Sequence, residues 1–414
     1  MAKFTKKMKN KYTILIPSML DFHMKLFKGI FEQSGYKAEI MTNEGQKIID
    51  EGLKYVHNDT CYPAVLVIGQ CIDTLKNREK TDDLAILITQ TGGGCRASNY
   101  IYLLKKALKK AGFEHVPVLA VNFAKLYKIR DLGLGMKGLF KFIQAMCYGD
   151  LLMYMNNKTR SYEVNKGDSK SLTDKWVNKL LEQFNNKRGI NYKDLKQNMY
   201  DICQDYDNIL VDITDKPKVG IVGEIYIKYA ALGNNHLEEL MVNLDSEIYV
   251  PGLMGFIYYC AYNFMFDYKI YKKSRIMSFI GKIVINYLNK REAVMIDAIS
   301  KTKYEPMQKF EITKDMCKGI LDHGTKMGEG WLLTSEMVEL IETGYTNIIC
   351  AQPFGCLPNH ICGKGVMKKI KQIYPNANIV AIDYDPSATK VNQENRIKLM
   401  LSVAKENLNT NSIK

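Results

Sequence analysis

Three of the ten cysteines share one kind of setting. Cys61 lies in NDTCYPA, Cys95 in TQTGGGCRA and Cys356 in QPFGCLPNH. Each is expected where a strand ends and a helix begins, the carboxyl edge at which open α/β sheets collect ligands. Helix N-termini turn N–H groups outward and stabilise thiolates and anionic clusters. Gly92, Gly93 and Gly94 strip side chains from the backbone before Cys95. A large object can then approach that backbone closely and accept its N–H bonds. The separations are 34 residues (95 − 61) and 261 residues (356 − 95). Ferredoxin runs and zinc ribbons space their cysteines far more tightly. Shared ligation would draw on three loops and two domains, placing the site in a cleft between them. Three thiolates on a four-iron cube would leave one iron without a cysteine, able to act as a Lewis acid on a substrate oxygen.

The residues alone leave other readings open. TGGGC suits a phosphate turn or an oxyanion loop, although no GxGxxG, P-loop or GxSxG pattern surrounds it. Cys95 could be a nucleophile, with His57, His236 or His360 as its base. An isolated cysteine is by default a small core residue, and Cys71, Cys350 and Cys362 read that way. Arg96 suits either an anionic partner or a structural ion pair. Glu224, in VGEIY, suits a general acid or base, or a helix cap. His360, after Asn359, suits substrate orientation or a structural bond.

The elements that must position these residues alternate. YTILIP, KAEIMT, a short KYVHND, LAILITQ and VPVLAVNF read as strands, and MLDFHMKLFKGIFEQSG and SNYIYLLKKALKKAG as helices. Another helix is expected from Pro63, which suits a first turn. Residues 151–216 show no strand pattern; TDKWVNKLLEQFNNK and YDICQDYDNILVDI read as helices. KVGIVG, EIYVPGL, TNIICAQPFG and NIVAIDYD then read as strands of a second unit. A long helical stretch is expected over about 253–300, and a closing helix from Asp385-Pro386. Alternation of this kind predicts two doubly wound, Rossmann- or flavodoxin-like α/β lobes: 1–150, a helical connector 151–216, and 217–414.

The chain has 414 residues and a formal net charge of +14, from 58 Lys+Arg against 44 Asp+Glu. The excess lies on helix faces such as LLKKALKKAG and not in a nucleic-acid motif, so no nucleic-acid partner is expected. No run approaches the roughly 18 apolar residues of a membrane span. The basic leader before YTILIP lacks a cleavage site, so a cytoplasmic protein with reduced thiols is expected.

HNDTCYPAVLVIGQ, TQTGGGCRASNY, VGEIYIKY and QPFGCLPNHICGKG together resemble the hallmark segments of the 2-hydroxyacyl-CoA dehydratase superfamily. They are most similar to the dehydratase-like C-terminal region of CoA-enzyme activase-related proteins, over about residues 12–400. The resemblance implies an oxygen-sensitive [4Fe-4S] cluster between the lobes, on Cys61, Cys95 and Cys356. It implies a separate ATP-hydrolysing iron–sulfur activator that injects one electron, and a CoA-thioester substrate that loses a hydroxyl through a ketyl radical. The chain would then be a lyase, working as a homo- or heterodimer. The alternatives within the resemblance are a double-cubane cluster serving an ATP-coupled reductase of small molecules, with Cys71, Cys350 and Cys362 as spare ligands, and a non-enzymatic docking partner of the activator.

Overall fold

The computed structural model describes residues 2–57, 59–90, 94–122 and 135–412. Strands β1 (Thr13–Ile16), β2 (Lys37–Ile40), β3 (Leu84–Gln90) and β4 (Val118–Asn122) form one parallel sheet in the order β2-β1-β3-β4. Strands β5 (Lys218–Gly223), β6 (Glu247–Tyr249), β7 (Asn347–Pro353) and β8 (Asn378–Tyr384) form a second, in the order β6-β5-β7-β8. The two orders are the same pattern repeated, although no repeat is visible in the residues. In each sheet the chain runs first to one side and then to the other, which opens a crevice at the carboxyl ends of the two central strands. Cys95 follows β3 and Cys356 follows β7, so they occupy equivalent places in the two sheets.

The first sheet is buried on both faces, as parallel sheets are. Leu15, Ile86 and Ile88 join a large core that runs from Leu15 to Leu401 across both sheets. Ile14, Ile16, Ala85 and Leu87 face the other way into a smaller cluster. This is the two-residue alternation of a strand, with apolar residues on both sides.

The first sheet is wrapped by α1 (Asp21–Gln33), α2 (Gln46–Tyr55), α3 (Tyr62–Lys76) and α4 (Tyr100–Lys110). The long α5 (Gly135–Arg160), with α6 (Asp168–Asn185) and α7 (Tyr192–Asp207), leads to the second sheet. Around that sheet come α8 (Ile225–Tyr229), α9 (Ala231–Asn234), α10 (Leu237–Asn243), α11 (Leu253–Tyr271), α12 (Arg275–Ile299), α13 (Phe310–Thr313), α14 (Trp331–Glu342), α15 (Leu357–Cys362), α16 (Met367–Ile373) and α17 (Lys390–Ser412). Among the described residues no helix is long and apolar enough to cross a membrane.

Four expectations are corrected. KYVHND does not give the expected strand among its described residues: Lys54 and Tyr55 end α2, and Asn58 lies outside the described residues. Cys61 therefore follows a helix, whereas Cys95 and Cys356 follow strands. YDICQDYDNILVDI is helical only to Asp207; beyond it Val211 makes an isolated antiparallel bridge to Glu163. The stretch 253–300 is two helices, broken at Lys272, whose φ of 52° is left-handed. Asp385 caps a turn instead of α17, its Oδ1 accepting from the N–H groups of Ser387 (2.7 Å) and Ala388 (2.9 Å).

Asp150 of α5 fastens the two halves together. Its carboxylate accepts the N–H groups of Leu253 (2.8 Å) and Met254 (2.7 Å), which open α11. It also bonds Nε2 of His23 on α1 at 2.7 Å. The junction is tight: a Cβ on Gly149 would stand 2.4 Å from the His23 ring, and one on Gly252 would stand 2.6 Å from the Asp150 carboxyl carbon. Asp150→Ala leaves these buried donors without an acceptor, so denaturant titration will show a loss of at least about 2 kcal/mol. A loss below about 0.5 kcal/mol, the scatter of ordinary surface changes, would contradict that role.

Candidate functional site

Cys61, Cys95 and Cys356 each stand immediately before a helical turn, and none of their side chains caps it. Cys61 and Cys356 are buried and Cys95 is half-buried. All three sulfurs therefore stand at the open N-terminal ends of helical turns.

The loops carrying these cysteines meet. The N–H of Tyr62 donates to the carbonyl of Phe354 at 3.1 Å, joining the Cys61 loop to the Cys356 loop across the lobes. Gly355 has a φ of +70°, and a Cβ there would come within 3.3 Å of the Cys61 Cα. Glycine is needed both for the turn and for this approach. A Cβ on Gly328 would stand 3.9 Å from the Cys95 sulfur and only 2.6 Å from Cγ of Pro358. The stretch before α14 therefore lies against both the Cys95 loop and the start of α15. Gly94 also belongs here, since a Cβ on it would touch the Met327 sulfur at 3.3 Å. Gly92 and Gly93 lie outside the described residues.

The electrostatics link the same groups. Burial pushes the Cys61 thiol up to about 11, with Glu224 and Cys95 adding to the effect. Burial pushes Cys356 higher still, followed by Glu329, Glu224 and Cys61. Cys61 is thus within electrostatic reach of both other thiols. Its sulfur is 3.1 Å from the hydroxyl of Tyr100, the first residue of α4. Burial above all, then neighbouring carboxyls, raise Cys61 and Cys356; the Tyr100 hydrogen bond and backbone N–H groups oppose this, and none of these influences is a cation. A nucleophilic cysteine needs the reverse, a lowered pKa from a basic neighbour. Metal coordination deprotonates a thiol directly, so this donor set fits a metal cluster better than a nucleophile. Among the described residues no three His, Cys, Asp or Glu side chains surround the position of a single ion. Thiolates on separate irons of a cube stand farther apart than that, roughly 6–7 Å, taking metal–sulfur bonds of about 2.3 Å.

Glu224 follows β5 and caps α8, accepting from the N–H of Ile227 at 2.9 Å. Glu329 accepts from the N–H of Ile225 at 3.0 Å. Burial raises both carboxyls, and proximity to Glu329 raises Glu224 further. Arg96 is exposed and its guanidinium donates to the carbonyl of Asp59, tying the Cys95 loop to the Cys61 loop. His360 is exposed and its Nδ1 accepts from the Gln352 amide at 3.1 Å. His57 pairs with Asp59 at 3.3 Å and His236 with Glu44 at 3.0 Å. Cys71, Cys350 and Cys362 are buried within α3, β7 and the end of α15. The Cys350 thiol donates to Oδ1 of Asn359 at 3.3 Å.

Tyr100 and Glu329 are site residues that sequence reasoning missed. Glu329 had a signal: it sits between Gly328 and Gly330, both at positive φ (58° and 47°). Two such glycines around one carboxylate mark a backbone bent to place it. Tyr100 had no signal beyond its position in TQTGGGCRASNY.

The fold and site define a protein of two like-ordered α/β sheets with cysteine loops meeting at their junction. No protein-family model matches the chain, and no curated protein matches it.

Proposed function

We propose that this chain is an iron–sulfur protein of the 2-hydroxyacyl-CoA dehydratase type, taking an electron from an ATP-hydrolysing activator and passing it to a CoA-thioester substrate. The observation that carries this is the convergence of three thiol loops, whose cysteines are 34 and 261 positions apart, through the Tyr62–Phe354 bond and the glycines at 328 and 355. Cys61, Cys95 and Cys356 would hold a [4Fe-4S] cluster. Such a cluster supplies one-electron reduction and an iron open to a substrate oxygen.

The chain's own residues do the rest. The Tyr100 hydroxyl orients the Cys61 sulfur. Arg96 holds two of the loops in register. Glu224, which acts on both Cys61 and Cys356, is the group we assign to moving a proton beside them. Burial of two of the three thiols keeps water from the site.

A thioester carbonyl resists reduction, so energy must come from the partner. GKGVMKK, at 363–369, lacks the spacing of a phosphate-binding loop. The purified chain alone will therefore not hydrolyse ATP. Mixed anaerobically with activator, reductant and ATP, it will speed reoxidation of the activator. The +14 charge favours an acidic docking face, so this coupled rate will fall with added salt. Equal rates with and without the chain reject the electron-acceptor role.

A further inference from the structure

An apolar chamber of about 250 Å³ lies between the first sheet, α5 and the α11–α12 pair. Tyr100 and Glu224 border it, but none of the roles above uses its apolar walls. Phe27, Phe31, Phe142 and Phe256 supply aromatic walls. Met19, Met24 and Met146 supply flexible ones, which adapt to guests of varied shape. Cavities with walls of this kind stay dry and accept apolar guests.

The two ends of the chamber differ. At one end its lining includes Gln90, Tyr100 and Glu224. Gln90 closes β3, and Tyr100 touches the Cys61 sulfur. Tyr100 and Glu224 thus connect the chamber's lining to the thiols. On another side the lining is Ile280, Gly281 and Val284 of α12. The same helix carries Ile276, Phe279 and Ile283 at the surface, exposed by 72%, 63% and 47%. Residues 276, 279, 280 and 283 fall at helical spacing on one stripe. The chamber wall is thus continuous with an apolar strip outside.

We propose that the chamber binds the aliphatic chain of an acyl group, with its tail toward this apolar strip on α12 and its carbonyl toward Gln90 and Tyr100. The carbonyl's orientation toward the thiols rests on the function proposed above; occupation of the chamber by a chain does not. The chain could come from a free fatty acid or from its CoA thioester, and the two are separable.

The test uses the full chain without iron, so that failure of the cluster reading cannot mask the result. The probe is cis-parinaric acid, whose fluorescence rises in an apolar site. Decanoate and decanoyl-CoA are expected to displace it, and acetyl-CoA is not. Val284→Trp fills the chamber and will weaken displacement by about tenfold or more, the cost of losing two or more buried methylenes. Ile257→Asp, which puts a carboxylate into the lining, will act in the same direction if the tryptophan variant does not fold. Displacement by decanoate but not by decanoyl-CoA keeps the chamber and overturns the orientation of the carbonyl. No fluorescence gain on folded protein, displacement by acetyl-CoA equal to that by decanoyl-CoA, or unchanged affinity in the folded variants overturns the proposal.

Discussion

With the cluster proposed above on Cys61, Cys95 and Cys356, Cys95→Ala purified without oxygen will lose the brown absorbance and most of the bound iron, and so will Cys61→Ala and Cys356→Ala. A cube left on two thiolates is labile, and two of the spare thiols are held elsewhere. Cys350 is engaged with Asn359, and a Cβ added at Gly363 would already stand 3.0 Å from its sulfur. Cys71 is wholly buried in α3. Each substitution removes one sulfur at a helix start and leaves the helix's own backbone-to-backbone bonds in place. The variants will therefore fold while losing iron. Cys147→Ala and Cys203→Ala, whose thiols are buried in α5 and α7, will keep it. Iron and sulfide counting beside circular dichroism separates the outcomes, and full iron in folded Cys95→Ala would sink the site.

The sheets were readable because their strands are buried on both faces. LAILITQ and TNIIC are continuous apolar runs bounded by turns, and no helical period competes with them. KYVHND misled because what decides it is not local. Helix α2 presses on α3 where both carry glycine: a Cβ on Gly52 would stand 2.2 Å from the Val65 carbonyl oxygen, and one on Gly69 would stand 2.0 Å from that of Ile48. This contact holds QKIIDEGLKY as a helix, and only the partner's position reveals it. The candidate site divides in the same way. Cys95 and Cys356 follow strands, so sheet logic finds them. Cys61 stands out through its motif, and its loop is joined to that of Cys356 by the Tyr62–Phe354 backbone bond that no spacing foretells. Glu329 and Tyr100 come from stretches that meet the cysteines only once both lobes are folded.

Lys228→Met will destabilise the protein by about 3–5 kcal/mol, the usual consequence of stripping one partner from a buried ion pair. Lys228 of α8 lies 3.1 Å from both carboxylate oxygens of Glu336 on α14, and both side chains are buried. Its ammonium also lowers Glu224, Glu329 and Glu339, so one cation steadies four buried carboxyls. Burial wins nonetheless: it raises Glu336, and with Glu336 nearby it raises Glu339 to about 8. A carboxyl raised in this way keeps its proton in the folded state, where the unfolded chain has already released it above its ordinary 4.5. Stability from this group is therefore present at low pH and falls as pH rises from about 4.5 to about 8. Without Lys228 the carboxyls rise further, so the penalty of the variant will be greater at about pH 8 than at about pH 5. Glu339→Gln will flatten the wild-type slope across that window. Urea titrations at the two pH values measure both effects, and a penalty for Lys228→Met that does not grow with pH would refute the shared-cation account. The double variant Lys228→Met with Glu336→Leu decides what the loss means. Replacing both partners by apolar residues removes the stranded charge, so it will recover most of the stability lost by Lys228→Met alone. If it recovers nothing, lost packing is the cause, and Lys228 holds α8 against α14 by its stem and not by its charge.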